Sequence, residues 1–404
     1  MRFMQLSDVR LGRNTESGKR WGRDRVVELS ATLRRVMEKA AETNCELLVI
    51  AGGLFSHQPV TSELEEINRL FLSLPAAEIV LIAGQEDCLR RSSPARSFQW
   101  AKNVHFIDTG VPQKLHLPRL NTVVYAVSEA EDSLCLPEAQ ASAVQPALPQ
   151  TSETQTSELQ APELQAPASA SFAKRPIERL AALLQAERAP EAGVRFLVAY
   201  EPDLARAKQA LSGCSFSYAA IGGLPQQTEA MDGKLRYSGG LEPMDMGDSG
   251  PHGVLLGDLS TATGALIQLN FLPLAAAAYV PLMVQVTEEM SAADLENAVK
   301  REIERRGVNN IYRIRITGKR DPNTVFDLQA LESAYRIETV LDESEPQYDF
   351  AALFAEHSQD LIGGYIGALE RSRSPRSELE TRAMYYAVDA LLRTAGKGES
   401  HAVS

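Results

Sequence analysis

The first 127 residues alternate short apolar runs with amphipathic segments, and this alternation restricts the fold more than any other feature of the chain. RFMQL (2–6), CELLVIA (45–51) and AEIVLIA (77–83) have the length and the apolar content of buried strands. The segments between them carry apolar residues three and four positions apart, which is typical of helices that pack on a sheet. The pattern predicts an α/β fold.

Residues 129–172 interrupt this alternation. They are rich in Ala, Pro, Ser, Gln and Glu, and they contain ELQAP twice in succession at 158–167. A segment of this composition buries too little apolar surface to offset the entropy cost of ordering it. We therefore expect a disordered linker at 129–172.

Regular structure is predicted again after the linker. Helical and strand patterns resume at 173, and a small β-α-β unit begins near Tyr279, followed by helices as far as Ala395. The predicted organisation is one α/β domain formed by residues 1–128 and 173–278, with a smaller domain at 279–404.

Composition restricts the functional class. The most apolar window, 271–284, is too short to span a bilayer and contains two prolines, so we expect no membrane association. Four cysteines without a CxxC pair fit a reducing cytoplasmic compartment. The net charge of −12 argues against a broad nucleic-acid surface, although residues 10–35 hold eight cations and three acids.

Polar residues and glycines follow each of the first three strands. The first strand leads into Ser7-Asp8-Val9-Arg10, the second into Gly52-Gly53, and the third into Gly84-Gln85-Glu86-Asp87. In open α/β sheets, ligand sites form beyond the carboxyl ends of the strands. The sequence therefore places a candidate site at these strand ends.

The order and spacing of these strand ends resemble those of calcineurin-like metallophosphoesterases. Within that family the chain looks most like SbcD-type DNA repair exonuclease subunits and their YhaO-like relatives. The segment YSGGLEPMDMGDSGPHGVLLGDL (237–259) is similar to the family's glycine-serine-proline-glutamate segment and the strand that follows it. The resemblance covers residues 1–128 and 173–395. It implies a metallophosphoesterase-like sheet sandwich flanked by helices, with a smaller α+β C-terminal capping domain.

The resemblance also implies a chemistry, since family members hold two divalent metals, typically manganese, that activate water for phosphodiester hydrolysis. The metal-ligand positions of the family fall here on Asp8, Arg10, Gly53, Gln85, Tyr200, Gly223 and Pro225. The position of the catalytic histidine falls on Glu86, which precedes Asp87. Because the bridging carboxylate and four histidine ligands are missing, we expect no metal cofactor and no catalysis at this site.

Two interpretations of the cations in the first loop stay open. Arg10 forms an ion pair with Asp8 or Asp87 that fills the former metal cavity. Alternatively, Arg10, Arg13, Lys19 and Arg20 hold a phosphate group.

The leading functional hypothesis is a catalytically inactive homologue that acts as a binding or scaffold subunit of an ATPase–nuclease-like complex. The resemblance implies an SMC-like coiled-coil ATPase as partner, docked through the C-terminal domain. One alternative is an active DNA exonuclease or phosphodiesterase with an atypical site formed by Asp8, Asp87, Glu86 and His57. Another is a phosphate or nucleotide binder. DNA binding and homodimer formation stay open.

Overall fold

The computed structural model describes residues 1–131, 175–187, 193–371, 385–392 and 394. The chain divides into two compact units, and the second takes two short segments from upstream in the sequence. The first unit comprises Met1–Asn14, Asp24–Glu242 and His252–Leu274, and the second comprises Thr15–Arg23, Pro243–Pro251 and Ala275–Ser404.

Two mixed six-stranded sheets form the first unit, and helices flank them. The strands of the first sheet are β1 (Arg2–Leu6), β2 (Leu47–Ala51), β3 (Glu78–Ile82), β4 (Val104–Ile107), β11 (Gly253–Leu259) and β12 (Leu266–Pro273). Those of the second are β5 (Gln113–Leu117), β6 (Thr122–Ala126), β7 (Val194–Tyr200), β8 (Tyr218–Gly222), β9 (Thr228–Ala230) and β10 (Leu235–Tyr237). The first sheet has the order β12-β11-β1-β2-β3-β4, and the second has the order β5-β6-β7-β8-β10-β9. The helices are α1 (Gly22–Glu42), α2 (Thr61–Phe71), α3 (Pro176–Ala186) and α4 (Leu204–Leu211).

The structure confirms the α/β fold class that the sequence predicts. Strands β1 to β4 pair in parallel, as do β6, β7 and β8, and parallel pairing requires crossover connections such as α1 and α2. As a result, the carboxyl ends of these strands lie together at one edge of each sheet.

One hydrophobic core of the first unit lies between the two sheets, and a second lies between the second sheet and helices α3 and α4. Phe3 of the first sheet packs edge-on against Phe196 of the second, with ring centroids 5.3 Å apart, and also contacts Tyr218. The Tyr218 hydroxyl donates a hydrogen bond of 2.7 Å to Gln5, whose side chain is fully buried. Each sheet therefore covers the inner face of the other, and a buried hydrogen bond between Tyr218 and Gln5 connects the two sheets.

The predicted linker lies outside the described residues from residue 132 onward. Its first residues, Glu129 to Glu131, form backbone hydrogen bonds: Glu129 N–H donates to Ala83, and Glu131 N–H donates to Leu89. These bonds attach the chain beyond β6 to the loop that follows β3.

The main part of the second unit begins with the predicted β-α-β motif. β13 (Tyr279–Val286) and β14 (Ile311–Arg320) pair in parallel around α5 (Ala292–Arg306). Ser291 caps this helix by accepting the N–H of Asp294, as the Ser-x-x-Asp spacing predicts. The remaining elements are β15 (Ile337–Asp342), β16 (Glu345–Pro346), α6 (Gln329–Ala334), α7 (Phe350–Glu356) and α8 (Leu361–Arg371).

Strands β15 and β16 were not expected from the sequence, which predicted helices beyond Leu328. They extend the small sheet, with β14 at its centre. Within the described ranges, no helix is both long enough and apolar enough to cross a membrane.

The two upstream segments of the second unit pack around Tyr279. Its hydroxyl donates to Glu16 at 2.7 Å and also contacts the carbonyl of Met244 at 3.2 Å. Trp21 and Met246 complete an apolar cluster with the same residue. These segments are therefore integral parts of the second unit.

A buried ionic cluster inside the first unit includes residues at or near the ends of its segments Asp24–Glu242 and His252–Leu274. The side chain of Glu242 is fully buried, and the guanidinium of Arg25 donates to it at 3.2 Å. Thr32 donates to the other carboxylate oxygen, and Arg35 lies 3.8 Å from it. Arg35 also donates to the carbonyl of Leu274 at 2.9 Å. Glu242 and Leu274 each end a segment of the first unit, so α1 contacts the ends of two segments.

We predict that Glu242→Ala lowers the free energy of unfolding by about 3 kcal/mol, because it leaves the buried guanidinium of Arg25 without this carboxylate. Chemical denaturation followed by circular dichroism measures the change. Glu66→Ala is the control, since Glu66 pairs with Arg34 on the exposed side of α1 and its loss should cost less than about 1 kcal/mol. Equal changes in the free energy of unfolding of the two variants would show that the buried cluster stabilises the fold no more than a surface ion pair does.

Candidate functional site

The positions that the resemblance selects lie at the carboxyl ends of parallel strands in the first unit. Asp8 follows β1, Gly53 follows β2, and Asp87 follows β3. Tyr200 ends β7, and Gly223 follows β8 in the other sheet. Hydrogen bonds connect these residues, so the structure brings them into one site.

Asp8 is the centre of this site. Its backbone has a φ of 49°, a left-handed conformation that aspartate adopts more readily than most residues. One carboxylate oxygen accepts the hydroxyl of Tyr200 at 3.2 Å, and the other accepts the N–H of Gly223 at 2.9 Å. Both oxygens of this buried carboxylate are therefore engaged by donors from the second sheet.

Burial raises the pKa of Asp8 above its ordinary value, whereas the nearby charge of Arg10 and the hydrogen bonds lower it. The guanidinium of Arg10 lies 3.6 Å from the carboxylate. It also lies 4.0 Å from Glu86, and Arg13 approaches Glu86 to 3.9 Å. These distances describe ionic contacts rather than short hydrogen bonds. Arg10 thus lies between two carboxylates.

Asp87 has a different set of partners. It accepts backbone N–H groups from Gly84 at 2.7 Å, and from Gly53 and Phe55 at 3.3 Å each. Burial raises the pKa of this carboxyl to about 6, although the three N–H groups oppose the shift. The side chain therefore fixes the loops after β2 and β3 to each other.

The ring of Tyr200 and two glycines fill the space between these loops. A Cβ atom at residue 84 would lie 2.8 Å from the Tyr200 ring and 2.6 Å from the backbone nitrogen of residue 53. A Cβ atom at residue 53 would lie 3.0 Å from both the Cα and a carboxylate oxygen of Asp8, at a φ of +68°. Only glycine fits these two positions without displacement of its neighbours.

The residues present do not fit the two divalent ions that the resemblance implies. Both oxygens of Asp8 bind protein donors, Asp87 binds backbone N–H groups, and Gly53 has no side chain. In the part of the chain that the structure describes, no group of three or more His, Cys, Asp or Glu residues could hold a metal ion.

His57, one of the four residues of the alternative atypical site, is directed at the start of α2. Its Nε2 lies 3.0 Å from the carboxylate of Glu63, and its ring lies edge-on to Phe55. Glu63 in turn accepts the N–H of Val60 at 2.9 Å, so the histidine belongs to the cap of this helix.

Gln85 and Pro225 are both exposed. The carbonyl of Pro225 accepts the N–H of Gly240 at 2.9 Å. Neither residue contributes a side-chain hydrogen bond among those observed at the site.

The four cations proposed to hold a phosphate are divided between the units. Arg10 and Arg13 lie in the first unit, whereas Lys19 and Arg20 lie in the second. There, Lys19 donates to the carbonyl of Glu338 at 2.5 Å, and Arg20 donates to the carbonyl of Ser333. The charges of Lys19 and Arg20 thus serve hydrogen bonds inside the second unit.

We predict that Arg10→Ala lowers the free energy of unfolding by about 1 to 3 kcal/mol, because Asp8 loses the nearest opposing charge. Arg13→Ala is the matched control: Arg13 is half-exposed, so its loss should cost less than about 0.5 kcal/mol. An NMR titration should also show a higher pKa for Asp8 in Arg10→Ala. Unchanged stability together with an unchanged pKa would contradict the assigned ion pair.

The raised pKa of Asp87 predicts a pH dependence with a defined sign. From about pH 4 to pH 6, folded Asp87 keeps a proton that the unfolded chain has lost. Its contribution to stability is therefore complete below about pH 4 and is lost as the pH rises through 6. Over that range, the free energy of unfolding of the wild type should fall by about 2 to 3 kcal/mol more than that of Asp87→Asn. Urea denaturation at a series of pH values measures this, with Asp108→Asn as the exposed control. Parallel pH profiles for the wild type and Asp87→Asn would contradict the assignment.

No protein-family model matches the chain, and no curated protein matches it in sequence. The resemblance to metallophosphoesterases therefore rests on the residues of the strand ends and of the segment 237–259.

Proposed function

We propose that this chain is a catalytically inactive metallophosphoesterase homologue of the SbcD type. In this proposal it acts in the cytoplasm as a binding or scaffold subunit of an ATPase–nuclease-like complex. One observation carries the proposal: Asp8, the acid retained at a family ligand position, has both carboxylate oxygens bound by Tyr200 and Gly223. A metal ion would have to displace both donors.

The architecture supports the family assignment without establishing it. Two six-stranded sheets pack face to face, and the strand ends at which the family binds metals meet in one place. The second unit contains a β-α-β motif at the position where the family has its capping domain. We therefore assign the second unit as the cap.

The proposed partner is an SMC-like coiled-coil ATPase that docks on the C-terminal helices. Ile362 and Ile366 of α8 pack with Val388, so part of the apolar stripe is the unit's own core. Phe354 and Leu361 remain 39% and 72% exposed, which leaves apolar surface for a partner helix.

We predict no manganese-dependent cleavage of a linear duplex DNA or of a generic aryl phosphodiester above background. The physical reason is that no bridging carboxylate is available to hold two cations together at Gly53. Elemental analysis of the purified protein should find less than one tightly bound transition metal per chain.

The double variant Asp8→Ala, Asp87→Ala separates the outcomes of this assay. Turnover that disappears in the double variant would overturn the proposal and favour the active-enzyme alternative. Turnover that survives in it comes from a contaminant. The scaffold role also requires coelution with the coiled-coil ATPase of the same genome, and Leu361→Glu should abolish that coelution.

A further inference from the structure

Strand β12 forms one edge of the first sheet and is long for an edge strand. It spans eight residues, Leu266–Pro273. Among the described residues, β11 is the strand that pairs with it, and its other edge has no strand beside it. An unpaired edge of this kind presents backbone donors and acceptors that can pair with another strand.

Charged side chains and an interior proline, which usually protect an edge strand, are missing from β12, and the one irregularity in its pairing with β11 lies near its first residues. Charged residues account for 23% of the chain, yet none occurs between Asp258 and Glu288. Ile267 is 69% exposed, and the proline at 273 is the last residue of the strand. Natural edge strands are normally interrupted by lysine, by proline or by inward-pointing charge.

The side chains of β12 also leave apolar surface incompletely covered. Leu266 and Leu269 are partly buried against the core between the two sheets. Phe271 is partly buried as well. The side chains of a further strand along this edge would lie beside these and cover more of their apolar surface.

The hydrogen bonds between β11 and β12 show which residues of β12 direct their N–H and C=O groups away from β11. The N–H of Leu274 donates to the carbonyl of His252 directly opposite, at 3.0 Å, in register with the pairing of β12 on β11. In an antiparallel pair, successive residues point their N–H and C=O groups to alternate sides. Leu269 and Phe271, at odd spacing from Leu274, therefore direct theirs toward the open edge.

The sequence of this edge is complementary to itself. When two copies of LIQLNFL (266–272) are laid antiparallel about Leu269, that residue faces its own equivalent. Gln268 then faces Asn270, so that amide meets amide. Ile267 faces Phe271, so that apolar side chains meet. Leu266 lies beyond an irregularity in the pairing of β12 with β11, and the matched pairs therefore end at Ile267. Cross-strand pairs of matched chemistry are what stabilises a sheet.

We propose that β12 pairs antiparallel with β12 of a second copy of this chain, about a twofold axis at Leu269. The pairing joins the two first sheets into one continuous sheet. A twofold interface requires a surface that complements itself, and this strand has that property. The chain carries a net charge of −12, so two copies approach with the least repulsion where charge is absent.

The test uses charges placed at the facing amide positions, both of which are exposed. In Gln268→Lys, Asn270→Lys, each lysine faces a lysine of the second copy. In Gln268→Lys, Asn270→Glu, each lysine faces a glutamate instead. Sedimentation equilibrium should show a wild-type mass twice that of one chain. The dissociation constant of the dimer should be at least about tenfold larger for the lysine–lysine variant than for the wild type. For the lysine–glutamate variant it should be equal to that of the wild type or smaller.

The two double variants control each other, because they change the same positions and differ in the sign of one charge. The difference between them should shrink as the salt concentration rises. Val27→Lys is a further control, since Val27 is an exposed apolar residue on α1 with 68% exposure and should leave the mass unchanged. A wild-type protein that stays monomeric, or a dimer that both double variants form equally well, would overturn the proposal.

Discussion

The hydrogen bonds to the carboxylate of Asp8 are the interaction on which the arrangement of the candidate site depends. Asp8 follows a strand of one sheet, whereas Tyr200 and Gly223 belong to the other. The two sheets are therefore joined by a polar link at the edge where their cores end. A buried carboxylate needs such partners, since its desolvation would otherwise exceed what packing supplies. The glycines at 53 and 84 permit the close approach that the link requires.

Much of the fold could be predicted from the sequence because its signals are local. RFMQL, predicted as a strand at 2–6, became β1 with the same bounds, and the capping pattern at Ser291 marks the start of α5. Strand β5 was missed because its sequence, QKLHL, mixes polar and apolar residues without a long apolar run. Strand β15, IETVLD, was missed because it follows a helical pattern and ends in exposed positions.

The candidate site was predictable in position but not in its contacts. Strand ends are readable from sequence, so Asp8 and Asp87 could be placed at one edge of the fold. The partners of these acids come from residues distant in the chain, and their choice depends on side-chain geometry. Glu86 approaches Arg10, for example, whereas Asp87 turns toward the backbone of Gly84. The resemblance thus predicted which residues lie at the site, whereas side-chain packing determines the partners of each residue.

The passage of the chain between the two units has a consequence for how such a protein can evolve. The second unit takes Thr15–Arg23 and Pro243–Pro251 from upstream, and Tyr279 packs against Trp21 from the first of these segments. A fragment that begins at Ala275 would therefore lack part of its own core. Gene fusion or shuffling cannot transfer the second unit as a cassette, because its sequence is not contiguous. The two units must be inherited together, and substitutions in the first loop are constrained by a core that the sequence places more than 250 residues away.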